Sequence, residues 1–408
     1  MRFGETDPVW GDEFIERYLE DAERYSMDNE TLHTGFMLAL LGQAVGDSSF
    51  DIGDNEKHCR VHPFMVQDSG SGKDPAFDYA KKVATFADMN FSDSNDLTNA
   101  GLVGTFVDGE EEPGAAEKYD IVGFREAIQL LRSGSSDWNK NIPENINSIL
   151  DGGHVERHMA AGTIEYRATC TLIGTSYPPT EMDMNLENLM RNGTLARFFY
   201  FFRDIPPEFR FRVGDAILER AVEDSNGSNF RSDDVVDTLT EIKNEFHGGK
   251  KFSFDYDTER VQRKVRDVIV GNLEKSEVGT RKIVEPSVTR YIEHTLRLGC
   301  LMAALDKCST EVDEEHIDQA LEFIELSWTQ MLDFFQSYHD EGESSDNSPN
   351  ARERMVYLLG REGQMTKSEV AEEMDVSDKT VQRSARELET LEMIESLSVG
   401  KKRAYKLT

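Results

Sequence analysis

The chain has 408 residues, enough for two or three domains with an ample buried core. It carries 45 basic and 78 acidic residues, a formal charge of −33 spread along its length rather than gathered in one tail. That balance argues against a generally nucleic-acid-coating surface, makes any basic segment conspicuous, and fits solvation at high salt as used by salt-loving archaea and their viruses and plasmids.

The four cysteines, Cys59, Cys170, Cys300 and Cys308, form no C-x-x-C pair, so a reduced, cytoplasmic chain without a disulfide framework is expected. No basic-then-apolar leader opens the chain. The longest apolar run, residues 36–41, is far too short to span a bilayer, and no membrane partner is expected.

In chain order, residues 1–46 read as an N-terminal segment of two amphipathic helices, the second (31–45) buried against the next segment. Residues 47–215 then alternate short β-rich and helical runs, the pattern of an α/β nucleotide-binding core. Strands are expected over 62–66, 101–107, 120–124, 168–174 and 198–202.

Within that core, residues 64–74 run from an apolar strand into a glycine-rich turn, Gly70-Ser71-Gly72-Lys73-Asp74, with a helix expected over 75–86. A phosphate-binding loop has this composition. Its glycines aim backbone N–H groups at phosphate oxygens, and its lysine reaches the β- and γ-phosphates. Two positions depart from the full pattern: Gln67 stands where glycine is usual, and Asp74 stands where a Ser or Thr hydroxyl would hold Mg²⁺.

Residues 216–338 read as helical throughout, a separate helical lid. Residues 339–350 are polar, poor in apolar side chains and carry Gly342 and Pro349, the composition of a linker. The last segment, 351–408, holds eleven basic and eleven acidic residues, so it is neutral while the rest carries the whole negative charge.

In that segment residues 366–374 read as a capped helix, 375–377 as a turn and 378–388 as a second helix, which is helix-turn-helix spacing. Val370, Ala371, Met374, Val376, Val381, Ala385 and Leu388 are expected to face inward. Lys379, Gln382, Arg383 and Arg386 face outward on a recognition helix. Two strands come next, 393–397 and 404–407, joined by a loop with Lys401, Lys402 and Arg403 suited to phosphate contact. The segment resembles the winged-helix family over its whole length. A winged helix used for protein contacts is the competing reading.

The core carries a second resemblance. Residues 97–110, 114–116 and 119–127 follow the loop in the order of an AAA+ ATPase of the MCM helicase type. Residues 149–178 look like that family's helix, hairpin and sensor-1 strand, residues 195–204 like its arginine-finger segment and 288–298 like its sensor-2 helix. The similarity spans about residues 50–330. Residues 1–46 leave no room for the family's N-terminal zinc and oligonucleotide-binding domain. An origin-recognition ATPase would share the AAA+ plus winged-helix length, but the 149–178 hairpin favours the MCM type.

The resemblance implies an α/β AAA+ core with ATP and Mg²⁺ as cofactors, DNA as partner, and identical copies in a hexameric ring. It implies a catalytic role for Glu126 in orienting water, for Arg197 as a finger reaching a neighbour's γ-phosphate, and for Arg290 as sensor 2. Gly70, Ser71, Gly72, Lys73, Asp74, Thr175 and Ser176 would bind the nucleotide, and Arg157 on the hairpin would touch DNA.

Alternatives stay open for each. Glu126 also reads as a solvated helix-start carboxylate, Thr175 and Ser176 as plain strand-end hydroxyls, and Arg197 as a surface ion pair. Arg290 shares a helical face with Glu293 and Arg297. Arg125 occupies the position of the usual metal-binding Asp, and Ala160 that of the usual pore lysine. These departures leave open a non-hydrolysing AAA+ platform. His58, His62, His154 and His158 lack metal-ligand spacing.

Overall fold

The computed structural model describes residues 8–26, 29–68, 70–94, 98–127, 142–177, 190, 193–203 and 232–347, and, nearer the C-terminus, 355, 358–359, 363–374, 381–382, 385, 388, 394–399 and 402–407. The chain divides into two compact units, residues 1–336 and 337–408.

The first unit opens with α1 (Asp12–Tyr25) and α2 (Glu30–Ala44), followed by the hairpin β1 (Ser49–Ile52) and β2 (Asn55–His58). The strand β3 (Pro63–Val66) leads through the glycine-rich turn into α3 (Lys73–Phe86). Then come β4 (Phe91–Ser94), α4 (Asn99–Val103), the hairpin β5 (Gly104–Val107) and β6 (Glu110–Pro113), α5 (Ala115–Lys118) and β7 (Ile121–Phe124). After α6 (Ile142–Leu150), the hairpin β8 (His154–Met159) and β9 (Gly162–Arg167) precedes β10 (Thr171–Ser176) and β11 (Phe199–Phe202).

Five strands form one parallel sheet in the order β11-β3-β10-β7-β4. The central strands β3, β7 and β10 are buried at every residue, so both faces are covered. α2 is buried on nearly every side and packs on the sheet. Gly35 permits that approach, since a Cβ there would lie 2.8 Å from Met65 Sδ. The rings of Tyr18 and Tyr79, and of Phe36 and Phe77, lie 5.4 and 5.6 Å apart, so the first two helices belong to the core.

Two strand expectations shift, and the 101–107 segment keeps only β5, which pairs with β6 outside the five-stranded sheet. Residues 101–103 are helical, because the Thr98 side chain accepts the Gly101 N–H and caps α4. β4 escapes the pattern because Phe91-Ser-Asp-Ser lies at the sheet's edge and buries little.

The rest of the unit is mainly helical: α7 (Asp233–Glu245), then β12 (Ser253–Phe254), α8 (Thr258–Lys275), α9 (Val278–Val284), α10 (Val288–Leu305), β13 (Glu311–Val312) and α11 (Glu314–Asn347). Up to Gln336 these elements belong to the same compact unit as the sheet. Ser327 donates to Tyr200 O (2.5 Å), Phe202 N–H donates to Gln330 Oε1 (3.0 Å), and Trp328 donates to Ile269 O (2.9 Å). Residues 339–347, whose composition reads as a linker, carry helical backbone at the end of α11.

In the second unit β14 (Gln364–Thr366) leads into α12 (Lys367–Met374), and β15 (Ile394–Val399) and β16 (Lys402–Leu407) complete an antiparallel sheet ordered β14-β16-β15. Thr366 and Glu369 form a reciprocal capping box, with Thr366 N–H donating to Glu369 Oε2 (2.7 Å) and Glu369 N–H to Thr366 Oγ1 (3.4 Å). Val370, Ala371, Met374, Val381, Ala385 and Leu388 share a buried cluster with Met355, Met365, Ile394 and Tyr405. Val376 lies outside the described residues.

No helix among the described residues is long and apolar enough to cross a membrane. Cys59, Cys170 and Cys300 are buried free thiols, and Cys308 is half-buried.

Candidate functional site

The turn after β3 has the backbone its glycines allow: Gly70 and Gly72 take φ of 78° and 83°, the left-handed region, and Gly72 caps α3. The amides of a helix's first turn have no intrahelical acceptors, so this end presents donors and the positive end of the helix dipole. The Lys73 ammonium donates to Gln67 O (2.6 Å) and Ser176 O (3.1 Å) and lies 4.2 Å from the Tyr177 ring centroid. It therefore bridges the carboxyl ends of β3 and β10.

Gln67 is a strut. Its buried amide exchanges two hydrogen bonds with Asn29, which donates to Gln67 Oε1 (2.7 Å) and accepts from Gln67 Nε2 (3.2 Å). Asn29 also donates to Ser71 O (3.0 Å), so one side chain ahead of α2 pins both ends of the turn. Asn29→Ala should cost about 1–3 kcal/mol, because it leaves a buried amide unpaired. A lower denaturant midpoint at unchanged slope is the expected readout. An unchanged midpoint would mean the turn is held elsewhere.

The two departures at Asp74 and Arg125 are the ends of one ion pair. Arg125 follows β7 and donates from Nη1 to Asp74 (2.9 Å), from Nη2 to Asp78 (2.6 Å), and from Nε and Nη2 to Asp93 on β4 (3.0 and 2.8 Å). Its guanidinium also sits 4.6 Å from the Phe77 ring centroid. These charge-assisted bonds, led by Asp93, push the Arg125 pKa up. The hydrogen bond from Arg125 in turn holds the Asp93 carboxyl below its usual range.

Mg²⁺, which the resemblance implies, does not fit this arrangement. The carboxylates of Asp74, Asp78 and Asp93 are committed to Arg125. Among the described residues no group of three or more His, Cys, Asp or Glu side chains is placed to hold a metal ion.

β10 lies between β3 and β7, so Thr175 and Ser176 end between the turn and Glu126. Thr175 donates to Arg125 O (2.7 Å) and so holds the end of β7. The hydroxyls of Ser71 and Ser176 are buried without a hydrogen-bond partner among the described residues. Tyr177, which pattern reading passed over, donates to Glu126 Oε1 (3.2 Å) while its ring lies under Lys73. Its only sequence signal is its place directly after Thr175-Ser176.

Arg197 and Arg290 meet on Asp151, in the turn after α6. Arg197 Nε donates to Asp151 Oδ2 (2.9 Å) and its Nη1 to Gly193 O (2.8 Å). Arg290 donates to Asp151 Oδ1 (3.2 Å) and to Glu293 (3.3 Å), the intrahelical partner its spacing suggests. Asp151 carries no motif that marks it.

Arg157 on β8 donates to the Gly104 carbonyl, and the β8–β9 tip is Ala160-Ala161. His58 and His62 are buried in the core, whereas His154 and His158 lie exposed on the hairpin beside Glu165 and Glu156.

In the second unit, Gln382 is helical and half-buried. Lys379, Arg383, Arg386 and Lys401 lie outside the described residues. Lys402 pairs with Val399 and Arg403 with Ser398, so the ladder runs on into the segment read as a basic loop. The side chains of Lys402 and Arg403 are outside the described set.

Neither a scan against protein-family models nor a search of curated proteins finds a match for this chain.

Proposed function

We propose that the chain is an ATP-binding AAA+ protein of the MCM type that acts on DNA in replication, as helicase or initiator, through a C-terminal winged helix. One observation carries the reading: the Gly70–Gly72 turn leaves the carboxyl end of a buried parallel strand, caps α3 and sets Lys73 across the ends of β3 and β10. Ligands of open α/β sheets bind at that edge. The interposed β10, with Ser176 beside the turn and Tyr177 on Glu126, supports the order of loop, polar sensor and acid that the resemblance requires.

The capped α12 and the three-stranded sheet of the second unit support the winged helix. Its neutrality, in a chain of −33, makes it the surface on which DNA is tolerated. Near molar salt the Debye length is about 3 Å, so the acidic core repels DNA only at contact. A ring of identical copies gives Arg197 its role, in which it exchanges Asp151 for a neighbour's γ-phosphate.

The Arg125–Asp74 pair favours a second reading, a platform that binds ATP without rapid turnover and delivers the winged helix to DNA.

The test is binding of ATP and of a forked duplex by the full chain across a salt series, with hydrolysis followed in parallel. Changing Lys401, Lys402 and Arg403 to Gln should flatten the slope of log K against log salt by about 0.9 for each phosphate no longer neutralised. DNA-stimulated hydrolysis supports the first reading, and binding without turnover supports the second. A chain that binds no DNA at low salt ends the DNA part of both.

A further inference from the structure

We propose that the Lys73 site binds its nucleotide without a divalent cation, because the guanidinium of Arg125 holds the place a metal would take; the inference rests on the nucleotide reading above. Two positions matter for a metal beside such a loop: the first helical residue after the lysine and the residue at the end of the neighbouring acid-bearing strand. Here they are Asp74 and Arg125, 2.9 Å apart and bonded to each other.

Three carboxylates from two elements converge on that one guanidinium. Asp74 and Asp78 lie four residues apart on α3, and Asp93 comes from the adjacent edge strand and takes both Nε and Nη2. A cation already sits among the acids, tethered to the end of β7. The Thr175 hydroxyl fixes that tether by donating to the Arg125 carbonyl, and Phe77 lies against the guanidinium face.

An incoming Mg²⁺ would have to displace a planar group that makes four charge-assisted hydrogen bonds. It would also have to shed water, which it does reluctantly. Mg²⁺ lacks the internal cation's advantage of being covalently held at its site.

What faces a phosphate is the Lys73 ammonium, the amide donors of the turn and of the first turn of α3, and the buried hydroxyls of Ser71 and Ser176, which have no partner among the described residues, with the Glu126 carboxylate held off by Tyr177. Three carboxylates around the Arg125 guanidinium and the Lys81 ammonium leave that edge net negative, and molar salt screens its repulsion of a polyphosphate.

The experiment is calorimetric titration of the full chain with ATP in molar KCl, once with EDTA and once with millimolar Mg²⁺. Equal dissociation constants are expected, whereas tightening by Mg²⁺ of about tenfold or more overturns the inference and leaves nucleotide binding intact. Absence of ATP binding in both buffers overturns the nucleotide reading itself, and the inference with it.

Arg125→Ala releases Asp74 and Asp78 and leaves Asp93 with Lys81 as its remaining cation. That variant is expected to bind Mn²⁺ added alone, read by Mn²⁺ paramagnetic resonance, where the parent chain does not. A folded Arg125→Ala chain blind to Mn²⁺ counts against the proposal. If the variant does not fold, the Mg²⁺ comparison on the parent chain still decides.

Discussion

If the chain binds ATP as proposed, Lys73→Ala is expected to raise the dissociation constant by about 10- to 150-fold, the equivalent of losing charge-assisted hydrogen bonds worth about 1.5–3 kcal/mol. The ammonium is already at the strand ends, held by Gln67 O and Ser176 O and resting on Tyr177. In the proposed ATP complex it would exchange these carbonyl partners for phosphate oxygens. In the variant Ser176 O still accepts the Gln67 N–H at 3.1 Å, whereas Gln67 O loses its Lys73 donor.

The readout is thermal unfolding together with ATP titration. A folded variant with a cooperative transition and weakened ATP binding is expected. Lys73→Arg should not restore affinity, since a planar fork does not replace a compact ammonium packed on a ring. Equal affinity of parent and Lys73→Ala would remove the turn from any nucleotide site and take the proposed function with it.

Mild acid should destabilise this protein through its buried histidines. Three histidines, His58, His62 and His294, are wholly buried, and burial, with Arg297 as the next cause, depresses the pKa of each. His294 is brought down to about 3. Hydrogen bonds hold two of them neutral. His58 Nδ1 accepts the Arg60 N–H (3.1 Å) while its Nε2–H donates to Leu150 O (2.9 Å), and His62 Nδ1 accepts the Leu172 N–H (3.0 Å). The charged groups facing the cluster are Arg60, Arg290 and Arg297, which oppose protonation, and Glu293, which favours it at His294.

The sign is set by proton binding. As pH falls below about 6.5 the unfolded histidines take up protons that the native ones refuse, so stability is full above that value and is lost towards the low folded pKa values. Below the unfolded value each histidine that stays neutral in the native state opposes stability as protons are taken up by the unfolded chain, so the three act in the same direction.

Glu293 adds a lower window. Burial works against its carboxylate, but the Arg297 charge and hydrogen bond outweigh it and hold the pKa at about 2. Its contribution is present above the ordinary glutamate value and is lost as pH falls from there towards 2. Denaturant midpoints at pH 7, 6 and 5 in molar KCl test this, since high salt suppresses the competing relief of self-repulsion as acids protonate. Equal midpoints at pH 7 and pH 5 would show that the cluster opens to solvent.

Several features were legible locally. A run of apolar residues before Gly70-Ser71-Gly72-Lys73 marks strand, turn and helix, because only glycine takes positive φ without strain and because β and helical periods differ. Thr366 and Glu369, three apart, mark a helix start, and the spacing of Val370, Ala371 and Met374 marks its inner face. Each signal is carried by neighbours within one or two turns of chain, where covalent geometry alone sets the distances.

The partners of the site residues were not legible in this way. Arg125 finds Asp74 and Asp93, Gln67 finds Asn29, and Arg197 and Arg290 find Asp151, across separations of 32 to 139 residues. The order β11-β3-β10-β7-β4 and the packing of α2 on the sheet bring these pairs together. Tertiary structure alone could turn Gln67, Asp74 and Arg125 from three separate departures into a strut and an ion pair. A side chain's charge is written in the sequence, but its partner depends on which strands lie side by side, and burial across the whole sheet decides that.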